Sequence, residues 1–229
     1  MNAHRSGLAA LLPTFGLRVR WDDLELRLPD DAEAMALADL AADGVHDPEA
    51  MPFQKPWTRG TREEIRRGVV THQWRHRGRA SADDWSLALG VFRDGEIVGE
   101  QQIGATSFPV ARSAGSGSWL GMGHHGRGLG TRMRLMALHL AFEGLGAAEM
   151  LSEAFDDNLA SNAVSRRLGY VMNGSRIGAR EGRPVVENTY RMTRELWEAR
   201  PDRLRPDITL DGIAPVRELF VLEPEPAEA

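Results

Sequence analysis

The chain has 229 residues, of which 42% are hydrophobic and 27% charged, the composition of an ordinary globular protein long enough to bury a core. Its net charge of −5 argues against nucleic acid or an anionic membrane as a partner. The absence of cysteine excludes disulfides, thiolate metal ligands and cysteine nucleophiles. The sequence shows no apolar run of about 18 residues and no signal peptide pattern, so we expect a cytoplasmic protein.

The chain divides into three predicted parts. Residues 1–16 are expected to form a loose leader, residues 17–195 a single domain, and residues 196–229 a C-terminal extension with a flexible, acidic, proline-rich end. The sequence shows no internal repeat and no pattern of a second catalytic domain.

The first half of the domain carries strong local signals. Alternating apolar residues from Leu17 to Leu28 predict a strand or a short hairpin. The pairs Asp30 with Glu33 and Thr61 with Glu64 are capping boxes, and each predicts the start of a helix. Between the two helices, residues 46–58 are expected to form an ordered loop, because apolar residues alternate there with prolines.

The second half alternates strands and helices. Strict alternation over residues 85–91, followed by Asp94-Gly95, predicts a hairpin that returns through residues 96–105. Residues 128–145 are apolar almost all round, which predicts a helix buried between layers. A strand at 148–155, a helix from Asn158 to Gly169, a hairpin over 170–192, a helix at 194–198 and a strand near 207–210 complete the predicted order.

The stretch from Gly117 to Thr131, GSWLGMGHHGRGLGT, is the centre of the functional argument. A short strand that leads into a glycine-rich turn and a helix N-terminus is suited to hold an anion on backbone N–H groups. A P-loop is excluded because Arg127 stands where the lysine belongs, and Lys55 is the only lysine in the chain. A dinucleotide fingerprint is met only in its glycines, because the acid at about the right offset, Glu143, lies inside the predicted helix.

A third interpretation accounts for more of the chain. The segment from His125 to Thr131 resembles the pyrophosphate loop of the GNAT superfamily of N-acyltransferases. The strand before it, the Leu- and Met-rich helix and strand after it, and the run from Asp157 to Tyr170 follow the order of that family. The last run resembles the branch that acylates ribosomal-protein N-termini. The resemblance covers about residues 117–173 and implies an α+β (α/β/α) fold with a mixed, mostly antiparallel sheet that splays at an acyl-CoA site and is flanked by helices.

What the resemblance implies is an enzyme in which an amine directly attacks the thioester of acetyl-CoA or succinyl-CoA, the co-substrate. It assigns pantetheine contacts to the strand end and pyrophosphate contacts to the loop, with further cofactor contacts from the following helix. These implied cofactor-binding residues are Trp119, Leu120, Gly121, Met122, His125, Gly126, Arg127, Gly128, Leu129, Gly130, Thr131, Asn158 and Ser161. The same resemblance makes Phe53, Trp57, Trp74 and Gln101 candidate contacts for the acceptor.

The chain departs from the family pattern where catalysis is concerned. Gly115 stands where the ribosomal-protein branch has a carboxylate, and Ser165 where many relatives have a tyrosine acid. Ser165, Glu100 and Glu153 are therefore only candidates for acid or base, and a helix-surface role is the alternative for Ser165.

Several alternatives stay open at this point. The acceptor is a protein N-terminus, a lysine or a small amine, and a homodimer is a further open alternative. If the donor is succinyl-CoA, Arg112, Gln101 or His72 is a candidate partner for its carboxylate. A non-catalytic acyl-CoA sensor is the competing class of function. We expect no metal, because the adjacent His124 and His125 do not converge on one ion without further ligands.

Overall fold

The computed structural model describes residues 3–222, with side chains from residue 7 onward. The helices in this part of the chain are α1 (Ala3–Leu11), α2 (Asp31–Asp43), α3 (Arg62–Arg77), α4 (Phe108–Ala111), α5 (Leu129–His139), α6 (Leu159–Leu168), α7 (Arg194–Glu198) and α8 (Ile213–Leu219). The strands are β1 (Arg18–Trp21), β2 (Leu24–Arg27), β3 (Asp84–Arg93), β4 (Glu96–Thr106), β5 (Ser113–Leu120), β6 (Glu149–Phe155), β7 (Val171–Arg180), β8 (Arg183–Thr193) and β9 (Thr209–Asp211).

All nine strands form one sheet in the order β7-β8-β6-β5-β4-β3-β2-β1-β9. Every neighbouring pair is antiparallel except β5 and β6, which run parallel and are connected through α5. Pairing between β5 and β6 ends at Ser116 and Ser152, although β5 continues to Leu120 and β6 to Phe155. The predicted mixed, mostly antiparallel sheet with a splay between these strands is confirmed.

Helices cover both faces of the sheet and create two apolar clusters. The larger cluster joins α5 to the sheet through residues such as Met133, Met136 and Leu120. The smaller cluster joins α2 and α3 to Trp119, the residue next to Leu120 on β5. Adjacent residues of a strand point to opposite faces, so the two clusters lie on opposite sides of the sheet.

The local signals in the sequence correspond to observed structure. Both capping boxes are formed, with the Asp30 and Thr61 side chains accepting from the N–H groups of Glu33 and Glu64. Asp94 and Gly95 both have positive φ, at 50° and 87°, as the predicted two-residue hairpin turn requires. The apolar helix is α5, which continues into a π-helical turn at Leu140–Gly144.

Both ends of the chain contain regular structure within the described residues. The leader is not loose in its described part, because residues 3–11 form α1 and Phe15 is buried in the larger cluster. The C-terminal extension is part of the same fold up to residue 222, since β9 pairs with β1 and Phe220 is buried. The acidic, proline-rich end, residues 223–229, lies outside the described residues. Among the helices of residues 3–222, none has the length and apolar character to cross a membrane.

Candidate functional site

The gap between β5 and β6 opens into the main cleft of the described structure, which encloses about 1880 Å³. This exceeds the roughly 300–1,000 Å³ of a pocket for one small molecule, so there is room for two substrates. Its walls come from the splayed strand ends, the glycine loop, the start of α6, the loop after α2 and the β7–β8 turn.

The glycine loop at one end of the cleft is shaped to receive an anion. Gly126 and Gly128 have φ of +72° and +77°, a left-handed conformation that favours glycine. Gly128 is the N-cap of α5, where no side chain caps the helix and no acidic residue lies in the first turn. An added Cβ at Gly126, Gly128 or Gly130 would meet nothing within 4 Å, so the space over the loop is open. This cradle fits a pyrophosphate on the positive end of the α5 dipole.

Most predicted cofactor residues line this cleft. They are Trp119, Leu120, His125, Gly126, Gly128, Leu129, Gly130, Thr131, Asn158 and Ser161. Arg127 is exposed in the same loop without lining the cleft. The Asn158 side chain accepts from the N–H of Ser161 at 3.1 Å, so it caps α6 while facing the cleft.

Gly121 and Met122, which are predicted to contact pantetheine, follow directly after β5. Neither residue lines the cleft, and their N–H groups already donate to Val98 O and Gly44 O at 3.1 and 3.0 Å. They tie the strand end to β4 and α2 instead. His125 reinforces this turn through a hydrogen bond between its Nε2 and the carbonyl oxygen of Leu120, at 3.0 Å. Burial and the nearby Arg127 lower the pKa of His124.

Aromatic side chains form the wall of the cleft on the α2–α3 side of the sheet. Trp57 packs between Phe53 and Trp119, with ring centroids 5.0 and 5.5 Å away. Phe53 lines the cleft directly and Trp57 supports it from behind. Trp74 does not line the cleft: it is 55% exposed on α3, where its Nε1 donates to Asp31 at 3.2 Å, and its contact with the acceptor stays a prediction.

Of the two candidate glutamates, Glu153 lines the cleft and Glu100 does not. Glu153 is the first residue of β6 beyond the last pair with β5, and it lines the cleft. Its carboxylate accepts from Gln54 at 3.1 Å and from Arg176 at 3.2 Å. Glu187, 3% exposed, lies beside it and binds the same Gln54 and Arg176.

Glu100 does not reach the cleft. It is buried, and its carboxylate accepts from Gln73 Nε2 at 2.5 Å and contacts His72 Nε2 at 3.1 Å. His72, a candidate partner for the carboxylate of a succinyl group, is engaged by Glu100 and does not line the cleft. Gln101 is fully buried, and its side-chain amide donates to Gly117 O at 3.1 Å. Neither Gln101 nor Arg112 lines the cleft. These side chains thus lie outside the cleft lining, and their roles stay predictions.

Ser165 is fully buried, so neither a surface role nor direct access to the cleft describes it. Its hydroxyl accepts from Nη1 of Arg134 at 3.2 Å. Arg134 was not predicted from the sequence, yet it is buried at the base of the gap, lines the cleft and forms no ion pair among the described residues. Burial lowers its pKa. The signal was available, because Arg134 interrupts an otherwise apolar run in α5.

No group of three or more potential metal ligands occurs among residues 3–222. The site is therefore defined by an anion cradle, a gap between two strands, an aromatic wall and carboxylates. This arrangement suits a group-transfer enzyme whose long, phosphate-bearing donor lies between the glycine loop and the gap between β5 and β6.

Comparison with known proteins identifies the class. The family model described as "Acetyltransferase (GNAT) domain" matches residues 23–171, so the chain belongs to the GNAT family and is an acyl-transferring enzyme of the GNAT type. The dinucleotide interpretation of the loop is thereby set aside.

Solved structures agree in fold. The chain is 24% identical to an acetyltransferase from Salmonella typhimurium that modifies the N-terminal serine of ribosomal protein L7/L12, with a TM-score of 0.60 over 76% of this chain and 96% of the other. A RimL L7/L12 acetyltransferase in complex with coenzyme A gives the same identity and TM-score, over 76% and 95%. The acetyltransferase MccE, in complex with acetyl-CoA and AMP, is 18% identical with a TM-score of 0.59 over 76% and 93%.

Proposed function

We propose that the protein transfers an acyl group, acetyl or succinyl, from coenzyme A to an amine by direct attack in a ternary complex. The observation that carries this proposal is the continuity of the strand gap with the glycine loop. β5 separates from β6 at Ser116 and leads, ten residues later, to the open cradle that begins at Gly126 before the N-terminus of α5. A donor with pyrophosphate at one end and a thioester at the other matches both features.

Within this proposal the loop residues bind the pyrophosphate through backbone N–H groups, and Thr131 adds a hydroxyl. Asn158 and Ser161 contact the donor from the start of α6. The splayed end of β5, from Ser118 to Leu120, binds the pantetheine, because its edge toward β6 is free of ladder pairing. The RimL structure holds coenzyme A and the MccE structure holds acetyl-CoA, which supports this assignment.

The chemistry requires a neutral amine. Its nitrogen attacks the thioester carbon, the carbon–sulfur bond breaks, the thiolate leaves, and the amine gives up a proton. Glu153 is the candidate that the cleft favours for receiving that proton, directly or through water, because it is exposed and projects where the strands part. Gln54 and Arg176 hold it in place by donating hydrogen bonds to its carboxylate.

The acceptor is proposed to be the N-terminus or a lysine of a protein, with a small amine as the alternative. Asp47 and Glu49 line the cleft and form no ion pair among the described residues, so they are available to attract a cationic chain end. The carboxylates of Glu153, Asp157 and Glu181 line the same cleft but pair with Arg176, Arg180 and Arg59. The Salmonella relative modifies such an N-terminus, which favours the same acceptor class.

The first experiment is a calorimetric titration with coenzyme A, acetyl-CoA, succinyl-CoA and NAD in parallel. We expect binding of the coenzyme A compounds and none of NAD. A thiol-release assay then compares peptides with free N-termini, a lysine peptide with a blocked N-terminus, and polyamines. Tight binding with no thiol release on any amine would favour the sensor, and no binding of any coenzyme A compound would refute the proposal.

A further inference from the structure

Arg134 is a buried cation without a counterion. Only 6% of the residue is exposed, and no carboxylate among residues 3–222 pairs with it. All three of its hydrogen bonds go to neutral hydroxyls: Nη1 donates to Ser152 at 3.0 Å and to Ser165 at 3.2 Å, and Nη2 donates to Ser118 at 3.1 Å. Buried guanidinium groups ordinarily pair with an anion, because burying an isolated charge is costly.

The position of this cation is specific. Ser152 belongs to the last pair between β6 and β5, and Ser118 lies on β5 just beyond that pair. Arg134 therefore spans the two strands at the point where they part. Arg134 and both serines line the cleft, so the cation lies at the inner end of the gap.

The buried guanidinium of Arg134 keeps an unused donor. A guanidinium has five N–H donors, and Nε of Arg134 makes no hydrogen bond. A buried cation that lines the cleft, keeps a free N–H donor and pairs with no carboxylate among residues 3–222 is suited to bind a small anion.

We propose that Arg134 binds a carboxylate at the free end of the donor's acyl chain, so that the preferred donor is a short dicarboxylic acyl-CoA such as succinyl-CoA. This inference rests on the proposed function, because it takes the acyl chain to enter the strand gap. The phosphates of the donor are placed at the N-terminus of α5, so they do not supply the missing anion. A planar guanidinium binds a carboxylate through two parallel hydrogen bonds, which an acetyl group cannot accept.

The decisive comparison uses donors of equal length. Succinyl-CoA and butyryl-CoA both carry a four-carbon acyl chain, and only the first ends in a carboxylate. Calorimetry on the wild-type protein is expected to show succinyl-CoA binding roughly 10- to 100-fold more tightly than butyryl-CoA, the effect of a charge-assisted hydrogen bond in a buried site. In Arg134→Met this preference disappears, and in Arg134→Lys it is partly restored.

Arg132→Met is the matched control, because Arg132 lies on the same helix but pairs with Asp23 and does not line the cleft. It is expected to keep the wild-type preference. If Arg134→Met does not fold, the wild-type comparison of the two donors decides alone.

The outcomes separate the two proposals. Equal binding of succinyl-CoA and butyryl-CoA by the wild type would overturn the role of Arg134 while leaving acyl-CoA binding intact. A loss of turnover in Arg134→Met that is equal for all donors would also overturn it, by showing that Arg134 acts on the departing thiolate instead. Failure of every coenzyme A compound to bind would overturn the proposed function and this inference together.

Discussion

Gly99 on β4 lies directly against the backbone of Trp119 on β5. A Cβ added to Gly99 would lie 2.3 Å from the carbonyl oxygen of Trp119 and 2.9 Å from Cα of Leu120. Real side chains do not approach backbone this closely, so only glycine lets β4 hold the end of β5 in place. The contact matters because Trp119 and Leu120 form the free strand end at the gap.

We therefore predict that Gly99→Ala destabilises the protein by about 1–3 kcal/mol, the usual cost of forcing a methyl group into a packed site. It also displaces the end of β5, so acyl-CoA affinity falls further than stability alone explains. Urea denaturation and calorimetry measure the two effects. Gly68→Ala is the control, because Gly68 lies in α3 with nothing within 4 Å of an added Cβ. An unchanged midpoint for Gly99→Ala would contradict the prediction.

Gly128 and Gly130 give a matched pair in the glycine loop. Alanine at Gly128 must adopt φ near +77°, which costs about 1–2 kcal/mol, whereas alanine at Gly130 lies inside α5 and stabilises by roughly 0.5–1 kcal/mol. Both added methyl groups enter the open space where the pyrophosphate is placed. Coenzyme A affinity is therefore expected to fall at least about tenfold in both variants, although their stabilities change in opposite directions. If Gly130→Ala binds coenzyme A as tightly as the wild type, the phosphate does not approach that residue.

Glu153→Gln tests the proposed proton acceptor. The amide keeps the size of the side chain but cannot take a proton, so kcat is expected to fall roughly 100-fold or more while coenzyme A affinity stays constant. A stopped thiol-release assay under saturating donor measures the change. Glu149→Gln serves as control, since Glu149 lies at the opposite end of β6, pairs with Arg191 and does not line the cleft. Equal rates for Glu153→Gln and the control would remove Glu153 from the mechanism.

The parts of the fold that rest on local chemistry could be predicted from the sequence. Capping boxes at Asp30 and Thr61 and the turn at Asp94-Gly95 depend on residues a few positions apart, and all three are present in the structure. The glycine loop carried the family resemblance for the same reason. The order of elements then followed from alternating periodicities.

The direction in which side chains face could not be predicted in the same way. Trp74 lies on the solvent side of α3 and Glu100 points into α3 rather than the cleft, and both depend on how the helix docks on the sheet. Arg134 depends on three serines from β5, β6 and α6, which are distant in sequence. Phe15 and Phe220, near the two ends, are buried by the same long-range packing.

His76 makes the stability of the protein depend on pH. It is buried on α3 with its Nδ1 2.7 Å from Ser86 Oγ, and its ring centroid lies 4.2 Å from that of His72. Burial, followed by the neighbouring His72, lowers the pKa of His76 to about 4, and Glu100 opposes this shift only in part. Between about pH 4 and pH 6.5 the unfolded chain therefore binds a proton that the folded protein excludes.

Acidification is therefore expected to destabilise the folded protein. The contribution of His76 to the free energy of unfolding is complete above about pH 6.5. It falls as the pH decreases toward 4, by up to about 3 kcal/mol. Urea denaturation across that range measures the slope, and His76→Gln, which keeps a polar partner for Ser86 but cannot titrate, should flatten it. Titration of the His76 ring proton by NMR gives an independent reading. An observed pKa near 6.5 would show that water or the Glu100 carboxylate compensates the buried charge, and the slope would then have to come from other groups.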